Sequence, residues 1–494
     1  MNDHFIKIVT VLTAEAVLFP CKSQQKESGR PPQPNIILIV SDDMGWRDLG
    51  CYGNPIHETP NIDKLAGESV RFTNAYAAAP VSTPTRASMQ TGKYPARLHM
   101  TVWSEYATGT EPGEIPDRQK LIPGVSFPDL PLEEHTIAEL LKSKNYNTIH
   151  IGKWHLGESM FYPENQGYDV NIGGGSWGCP ANFFYPYTGV FGKSSVRYIP
   201  GLSRSGIDDG SYFKDRKGEY LTDRLTDEAI RIMKDAVRTD APFFLNMCYY
   251  AVHTPIEAPD SLVKYYKDKI SNSNQKSNAT YAAMVHKVDE NVGRILKAVH
   301  DLGVSNHTII IFTSDNGGFI NKYEGMKVAD NSPLRSGKGS LYEGGIRVPL
   351  IIKFPGVSPR GAISDTPVIT NDFYTTLSEA AGIDTDTLKT DGISILPIIQ
   401  NPKAESDREY LYWHYPHYYT TTTPVSAIRY KEWKLLKYYE DNSIELYNLK
   451  DDMSEKINLA KENPELTEKL LNKLAEWLQE TKASSPSPNS GYKK

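Results

Sequence analysis

Apolar residues in this chain come in two patterns. Short, nearly unbroken aliphatic and aromatic runs at residues 35–40, 147–151, 242–249, 308–313 and 350–354 have the character of strands buried on both faces. Between them apolar positions recur at helical spacing, at residues 61–68, 136–144 and 222–236. The same spacing is clearest at 281–302, where Met284, Val285, Val288, Val292, Ile295, Leu296 and Val299 form one stripe. That stripe reads as core packing. Strands alternating with helices predict an α/β fold, a mostly parallel central sheet flanked by helices, with its ligand site at the carboxyl ends of the strands.

Past about Ile395 the pattern changes to short strands rich in Tyr and Trp at 409–413, 425–430, 433–438 and 443–448. A helix over 464–481 follows, with Leu466, Leu470, Leu471, Leu474 and Leu478 on its apolar face. A small antiparallel sheet covered by one helix is expected there. The resulting organisation is an export signal at 1–21, a polar Pro-rich tether at 22–34, a main α/β domain at 35–395, a C-terminal α+β subdomain at 396–483 and a disordered tail at 484–494.

Composition narrows the function. At 494 residues the chain buries a large core, and 54 basic against 60 acidic residues give a net charge of −6, which argues against a nucleic-acid binder. Four cysteines, Cys21, Cys51, Cys179 and Cys248, show neither zinc spacing nor a disulfide framework. The first 21 residues resemble an export signal ending at a lipid anchor on Cys21, with Glu15 interrupting the apolar region and Pro20 where a small residue is usual. A periplasmic or cell-surface location follows from that reading.

The polar clusters lie where the fold puts ligands. Asp42-Asp43 follow the first buried strand, Lys153 and His155 follow the strand at 147–151, His253 follows 242–249 and Asp315-Asn316 follow 308–313. Lys338 stands in a Gly-rich segment before 350–354. Asp42, Asp43, Asp315 and Asn316 are hard oxygen donors suited to Ca²⁺ or Mg²⁺ and unsuited to zinc or copper. Arg86, Lys153, Lys338, His155 and His253 are an excess of cationic groups suited to an oxyanion. In Pro80 to Gly92, Ser82 and Thr83 suit an N-cap, Pro84 a first helical turn and Gly92 a stop, which places a hydroxyl at the positive end of a helix beside Arg86.

Ser82-Thr-Pro-Thr-Arg86 followed by Ala-Ser-Met-Gln-Thr-Gly92 and Tyr94-Pro95 resembles the signature of type I sulfatases of the alkaline-phosphatase-like superfamily, in which the first residue, Cys or Ser, is oxidised to formylglycine. The resemblance extends from Asn35 to the C-terminal helix and implies a sulfatase acting through a Ca²⁺-dependent covalent sulfo-enzyme intermediate. It implies that Asp42, Asp43, Asp315, Asn316 and oxidised Ser82 bind the metal, that Arg86 and Lys153 hold the formylglycine hydrate and that His155 acts on its hydroxyl. His253 and Lys338 are implied to meet the sulfate and the leaving oxygen. A serine at the first position implies an anaerobic sulfatase-maturating enzyme, of the radical S-adenosylmethionine type, as partner.

The aromatic loop at 173–190, with Trp177, is expected near a ligand, and Trp413-His414-Tyr415-Pro416-His417-Tyr418 resembles a segment that helps line the pocket in bacterial glycan sulfatases; the likeness implies an exo-acting enzyme on sulfated galactose or N-acetylgalactosamine, with His414 and His417 at its pocket. The sequence also admits two other readings, a phosphodiesterase or phosphonate hydrolase of the same superfamily and an inactive glycan-binding lipoprotein.

Overall fold

This computed structural model describes residues 33–107, 115–187, 196 and 218–493. The signal, Cys21 and all but the end of the tether lie outside the described residues, as does the end of the aromatic loop. An eight-stranded sheet organises the larger part. In chain order its strands are β1 (Asn35–Ser41), β2 (Val70–Phe72), β3 (Asn147–Gly152), β4 (Val170–Ile172), β5 (Phe243–Cys248), β6 (Thr308–Ser314), β7 (Leu350–Lys353) and β8 (Ala362–Ser364). Across the sheet they run β8-β2-β7-β6-β1-β5-β3-β4. The five strands β6, β1, β5, β3 and β4 are mutually parallel, whereas β7 pairs antiparallel with both β2 and β6.

The period of two in a strand sorts β1 into two cores. Ile37 and Ile39 pack in one cluster with Met284, Val288, Val292 and Ile295 of the Ala279–Asp301 helix, and Ile36, Leu38 and Val40 face the other with Ala87, Met89, Ile137, Leu141 and Phe373. Helices therefore cover both faces, and each aliphatic side chain so buried contributes roughly 1.5–3 kcal/mol. This double burial is why these strands read as continuous apolar runs.

Register sets the site. Ser41 of β1 pairs with Ser314 of β6, so the acidic residues following each strand leave the sheet side by side. Gly152 of β3 pairs with Cys248 of β5 at a φ of 97°, and a Cβ there would lie 1.8 Å from the Cys248 carbonyl oxygen; glycine alone fits where the chain turns to Lys153. Because β7 is antiparallel, with Leu350 opposite Thr313, its amino-terminal end meets the carboxyl ends of its parallel neighbours. The polar segment that brings Lys338 therefore precedes its strand instead of following it.

The C-terminal part is a four-stranded antiparallel meander, β9 (Tyr410–Tyr415), β10 (Val425–Tyr430), β11 (Trp433–Tyr438) and β12 (Ile444–Asn448), covered by the Pro464–Glu480 helix. Its core is continuous with that of the larger part: Trp413, Leu435, Leu446, Leu470 and Leu474 pack with Tyr76, Val81, Leu341 and Ile369. Residues 484–493 depart from the expected disordered tail. Ser487–Pro488 pairs antiparallel with Leu121–Ile122, and the Lys493 amide donates to the Asp117 carbonyl, so backbone hydrogen bonds hold a segment whose composition reads as unstructured.

Buried histidines, among them His150, His414 and His417, are expected to lower stability in acid. Burial pushes His150 and His417 down to about 3 and His414 to about 4, from 6.5. Below pH 6.5 the unfolded chain takes up protons that the folded chain refuses, so stability falls as pH drops from about 6.5 toward 4, by about 1.4 kcal/mol per pH unit for each group. His414→Gln is expected to remove one such increment from the slope. Denaturant midpoints measured across that range test it, an unchanged slope being the contrary result.

Candidate active site

Ser82 opens the Ser82–Thr91 helix, all ten residues of which are buried. The sequence suggested Ser82 or Thr83 as N-cap; the structure puts Val81 there and no side chain caps the helix. Ser82 is thereby freed from capping and turns its hydroxyl outward to other groups. Its Oγ donates to Asp42 Oδ1 at 3.2 Å, lies 3.5 Å from Asn316 Oδ1 and accepts from Lys153 Nζ at 3.0 Å. Gly92 ends the helix at a φ of 69°, as its sequence position predicts.

Around Ser82, carboxylates and cations alternate. Lys153 Nζ is 2.7 Å from Asp42 Oδ2, and Arg86 makes two hydrogen bonds, at 2.9 and 3.1 Å, to Asp315 Oδ2. Lys338 Nζ donates to Asp43 Oδ2 at 2.9 Å, and Asn316 Nδ2 donates to Asp43 Oδ1 at 2.8 Å. Burial works to raise the Asp42 and Asp43 carboxyls, but Lys153 and Lys338, aided by His253, hold both below the ordinary carboxylate range. Burial likewise opposes charge on Arg86 and Lys338, and the facing aspartates keep both firmly protonated.

Carboxylate oxygens of Asp42, Asp43 and Asp315 lie within 4.8 Å of one another, all three buried. With Asn316 Oδ1 they form a hard, all-oxygen donor set that fits Ca²⁺ or Mg²⁺. Three carboxylates against Arg86, Lys153 and Lys338 sum to zero, so a divalent ion would leave the pocket doubly positive and matched to an oxyanion.

The two histidines differ. His253 sits at the edge of the cluster, with Nδ1 2.8 Å from the Thr254 carbonyl and Nε2 3.6 Å from Asp43 Oδ2. His155 is buried, its Nε2 lying 2.7 Å from Glu105 Oε2, while its Nδ1 is enclosed without a hydrogen-bond partner. Burial pushes the His155 ring down to about 4 against the pull of Glu105.

Some side chains expected here are elsewhere. His414 is buried with both ring nitrogens engaged, by Ser426 Oγ at 2.7 Å and by the Ser484 carbonyl at 3.0 Å, and neither is left for a ligand. His417 is also buried and bonds Thr101 Oγ1 at 2.8 Å. Both histidines tie the meander to its surroundings, which corrects the expectation that they line the pocket. Trp177 is 54% exposed and stands next to Gly178, whose amide donates to Glu105 Oε1. Glu105 and Gly178 escaped sequence reasoning because neither sits in a periodic or strand-terminal pattern. Thr83, which donates to the His155 carbonyl at 3.0 Å, was visible only as a helix-start residue.

Known proteins are similar to this chain in sequence and in fold. The family model described as Sulfatase matches residues 34–383, and that of the N-sulphoglucosamine sulphohydrolase C-terminal region matches 337–484. A sulfatase of Formosa agariphila is 33% identical over 92% of this chain and 90% of its own. The N-acetylgalactosamine-6-sulfatase of Homo sapiens is 32% identical over 81% of this chain and 74% of its own. The crystal structure of Ps i-CgsB in complex with k-i-k-neocarrahexaose superposes with a TM-score of 0.71 at 31% identity, covering 90% of this chain and 93% of that one. The chain belongs to the sulfatase family of the alkaline-phosphatase-like superfamily and is a sulfuric ester hydrolase.

Proposed function

We propose that this enzyme removes sulfate from carbohydrate sulfate esters, acting from the chain end on sulfated galactose or N-acetylgalactosamine, with Ser82 oxidised to formylglycine. The observation that carries the reading is the convergence on the Ser82 hydroxyl of Asp42, Asn316 and Lys153, with Asp43, Asp315, Arg86 and Lys338 around them. The relatives that act on N-acetylgalactosamine sulfate or hold a carrageenan fragment support the sugar class.

Asp42, Asp43, Asp315, Asn316 and the oxidised residue would hold Ca²⁺, which when bound would supply Lewis-acid polarisation of a sulfate oxygen and a lower pKa at the nucleophile. Formylglycine supplies an aldehyde hydrate, whose second hydroxyl can lose a proton to expel sulfate and regenerate the aldehyde, a route closed to plain serine. Lys153 and Arg86 orient the hydrate and keep its oxygens next to positive charge. His155, neutral and enclosed, takes up the proton of that hydroxyl. Lys338 steadies the sulfate oxygens, and His253, at the more open edge, is placed to give a proton to the departing sugar oxygen. Trp177 would offer an aromatic face to the sugar.

Among the described residues no helix is long and apolar enough to cross a membrane, and export with a lipid anchor at Cys21 remains part of the proposal. The expected result is loss of two hydrogens from the peptide across Ser82 when the protein is made with an anaerobic maturase, in proportion to sulfate released from sulfated galactose and N-acetylgalactosamine. Activity with unmodified serine would instead indicate a phosphate-type hydrolase. Hydrolysis confined to glucosamine or uronic acid sulfates would refute the sugar class.

A further inference from the structure

We infer that Glu105 is a positioning residue that fixes the tautomer of His155, holding the proton on Nε2 so that Nδ1 presents a lone pair to the reaction. The inference rests on the proposed role of His155 as proton acceptor and adds the group that makes the ring competent for it.

Glu105 lies on a short turn, Ser104–Tyr106, far in sequence from the strand that delivers His155. Its two carboxylate oxygens each accept from a different donor: Oε2 lies 2.7 Å from His155 Nε2, and Oε1 accepts from the Gly178 amide at 3.0 Å. The second of these donors is backbone and cannot change sign. An ionised carboxylate only accepts, so the proton shared with a neutral imidazole must sit on Nε2. Burial works to raise the Glu105 carboxyl, but the His155 ring, with backbone amides including that of Gly178, outweighs it and holds the group at about 2, as an ionised carboxylate.

His155 Nδ1 is then a lone pair, buried and without a protein partner. A protonated Nδ1 in the same place would be an unsatisfied buried donor, among charges from Lys153 and Arg86 that already oppose positive charge on the ring. The ring is also held in place. A Cβ on Gly178 would come within 2.4 Å of His155 Cε1, and the Thr83 hydroxyl donates to the His155 carbonyl. Turn, glycine and helix start together leave one imidazole orientation and one tautomer.

Glu105→Gln provides the test. A carboxamide must turn its NH₂ either to the Gly178 amide, where two donors would collide, or to His155, where the imidazole can move its proton to Nδ1 and accept through Nε2. The second outcome is expected. Nitrogen-15 spectra of histidine-labelled protein should show His155 protonated on Nε2 in the wild type and on Nδ1 in Glu105→Gln. The same spectra on a Ser82→Ala background read the tautomer whether or not Ser82 is ever oxidised. In the otherwise native enzyme, Glu105→Gln should lower kcat by about 10²-fold with KM unchanged. Glu105→Ala, which leaves room for a small carboxylate, should regain activity on addition of formate. An unchanged His155 tautomer in Glu105→Gln, or a rise in KM with kcat intact, would overturn the inference. Full activity of Ser82→Ala would instead sink the formylglycine mechanism and leave the tautomer assignment standing.

Discussion

Ser82→Ala is expected to lower sulfate-ester hydrolysis by at least about 10⁴-fold, to the background of the assay, while the protein stays folded. The size of the loss follows from the absence of a substitute. Among the described residues the hydroxyls and thiols are unequal: Ser82 Oγ is held by Asp42, Asn316 and Lys153 together, and the buried Cys248 thiol is pushed up to about 11 and packs beneath the site. Structure should survive because Ser82 caps nothing and the Lys153–Asp42 pair, at 2.7 Å, is made directly between those two side chains. A circular dichroism melt alongside sulfate release separates the two effects. Ser82→Cys, which retains an oxidisable first residue of the signature, should keep activity where a maturase accepts cysteine. Turnover surviving in Ser82→Ala would remove the proposed nucleophile.

How much of this was legible beforehand depended on whether the information was local. The doubly buried strands announce themselves in residues such as Ile36 to Val40, since burial on both faces leaves no polar position in the run. Two adjacent aspartates directly after such a strand cannot be core, and the same holds for Asp315-Asn316. Those residues, with Ser82, Arg86, Lys153 and Lys338, do meet in the structure. Strand direction is not local: nothing in Leu350–Lys353 says that it runs antiparallel, and only the pairing of Leu350 with Thr313 explains why the Lys338 segment comes before its strand. Partner choice is not local either. The Trp413–His417 stretch has an aromatic and imidazole composition that suits a sugar pocket and a buried seam equally well, and Ser426, Ser484 and Thr101 decide for the seam at both histidines. Glu105 is the clearest case, because its meaning lies wholly in two donors that arrive from residues 155 and 178.

The largest effect on stability is expected at the seam between the two sheets. Lys434 of β11 is completely buried, with Nζ 2.9 Å from both Glu343 Oε1 and Glu455 Oε1. Glu343 also accepts from Tyr76 at 2.8 Å, and its backbone amide donates to Glu455 Oε2 at 2.7 Å. Burial works to raise both carboxyls; Lys434, with Arg347 and Arg429, outweighs it at Glu343, whereas at Glu455 burial prevails and the group is pushed up. Lys434→Met fits the volume but leaves Glu343 with Arg347 and Arg429 alone and Glu455 with no cation beside it, in an interior that solvates both poorly, an expected loss of about 3–5 kcal/mol. The consequence reaches the active site. Glu343 begins the short Glu343–Ile346 helix, the Gly345 carbonyl accepts from the Gly317 amide, and Asn331 Nδ2 bonds the Gly344, Gly318 and Ser336 carbonyls together. Asn316 and Lys338 are therefore carried on loops that this seam supports, and Lys434→Met should lower sulfate release as well as the melting temperature. Adding Glu455→Gln to Lys434→Met should recover part of the stability, because it removes the carboxyl left without a cation; the coupling between the two substitutions, read from a double-mutant cycle, is the decisive quantity. If Lys434→Met melts like the wild type, the buried triad does not hold the seam, and the apolar cluster of Trp413, Leu435, Leu446 and Leu470 must hold it unaided.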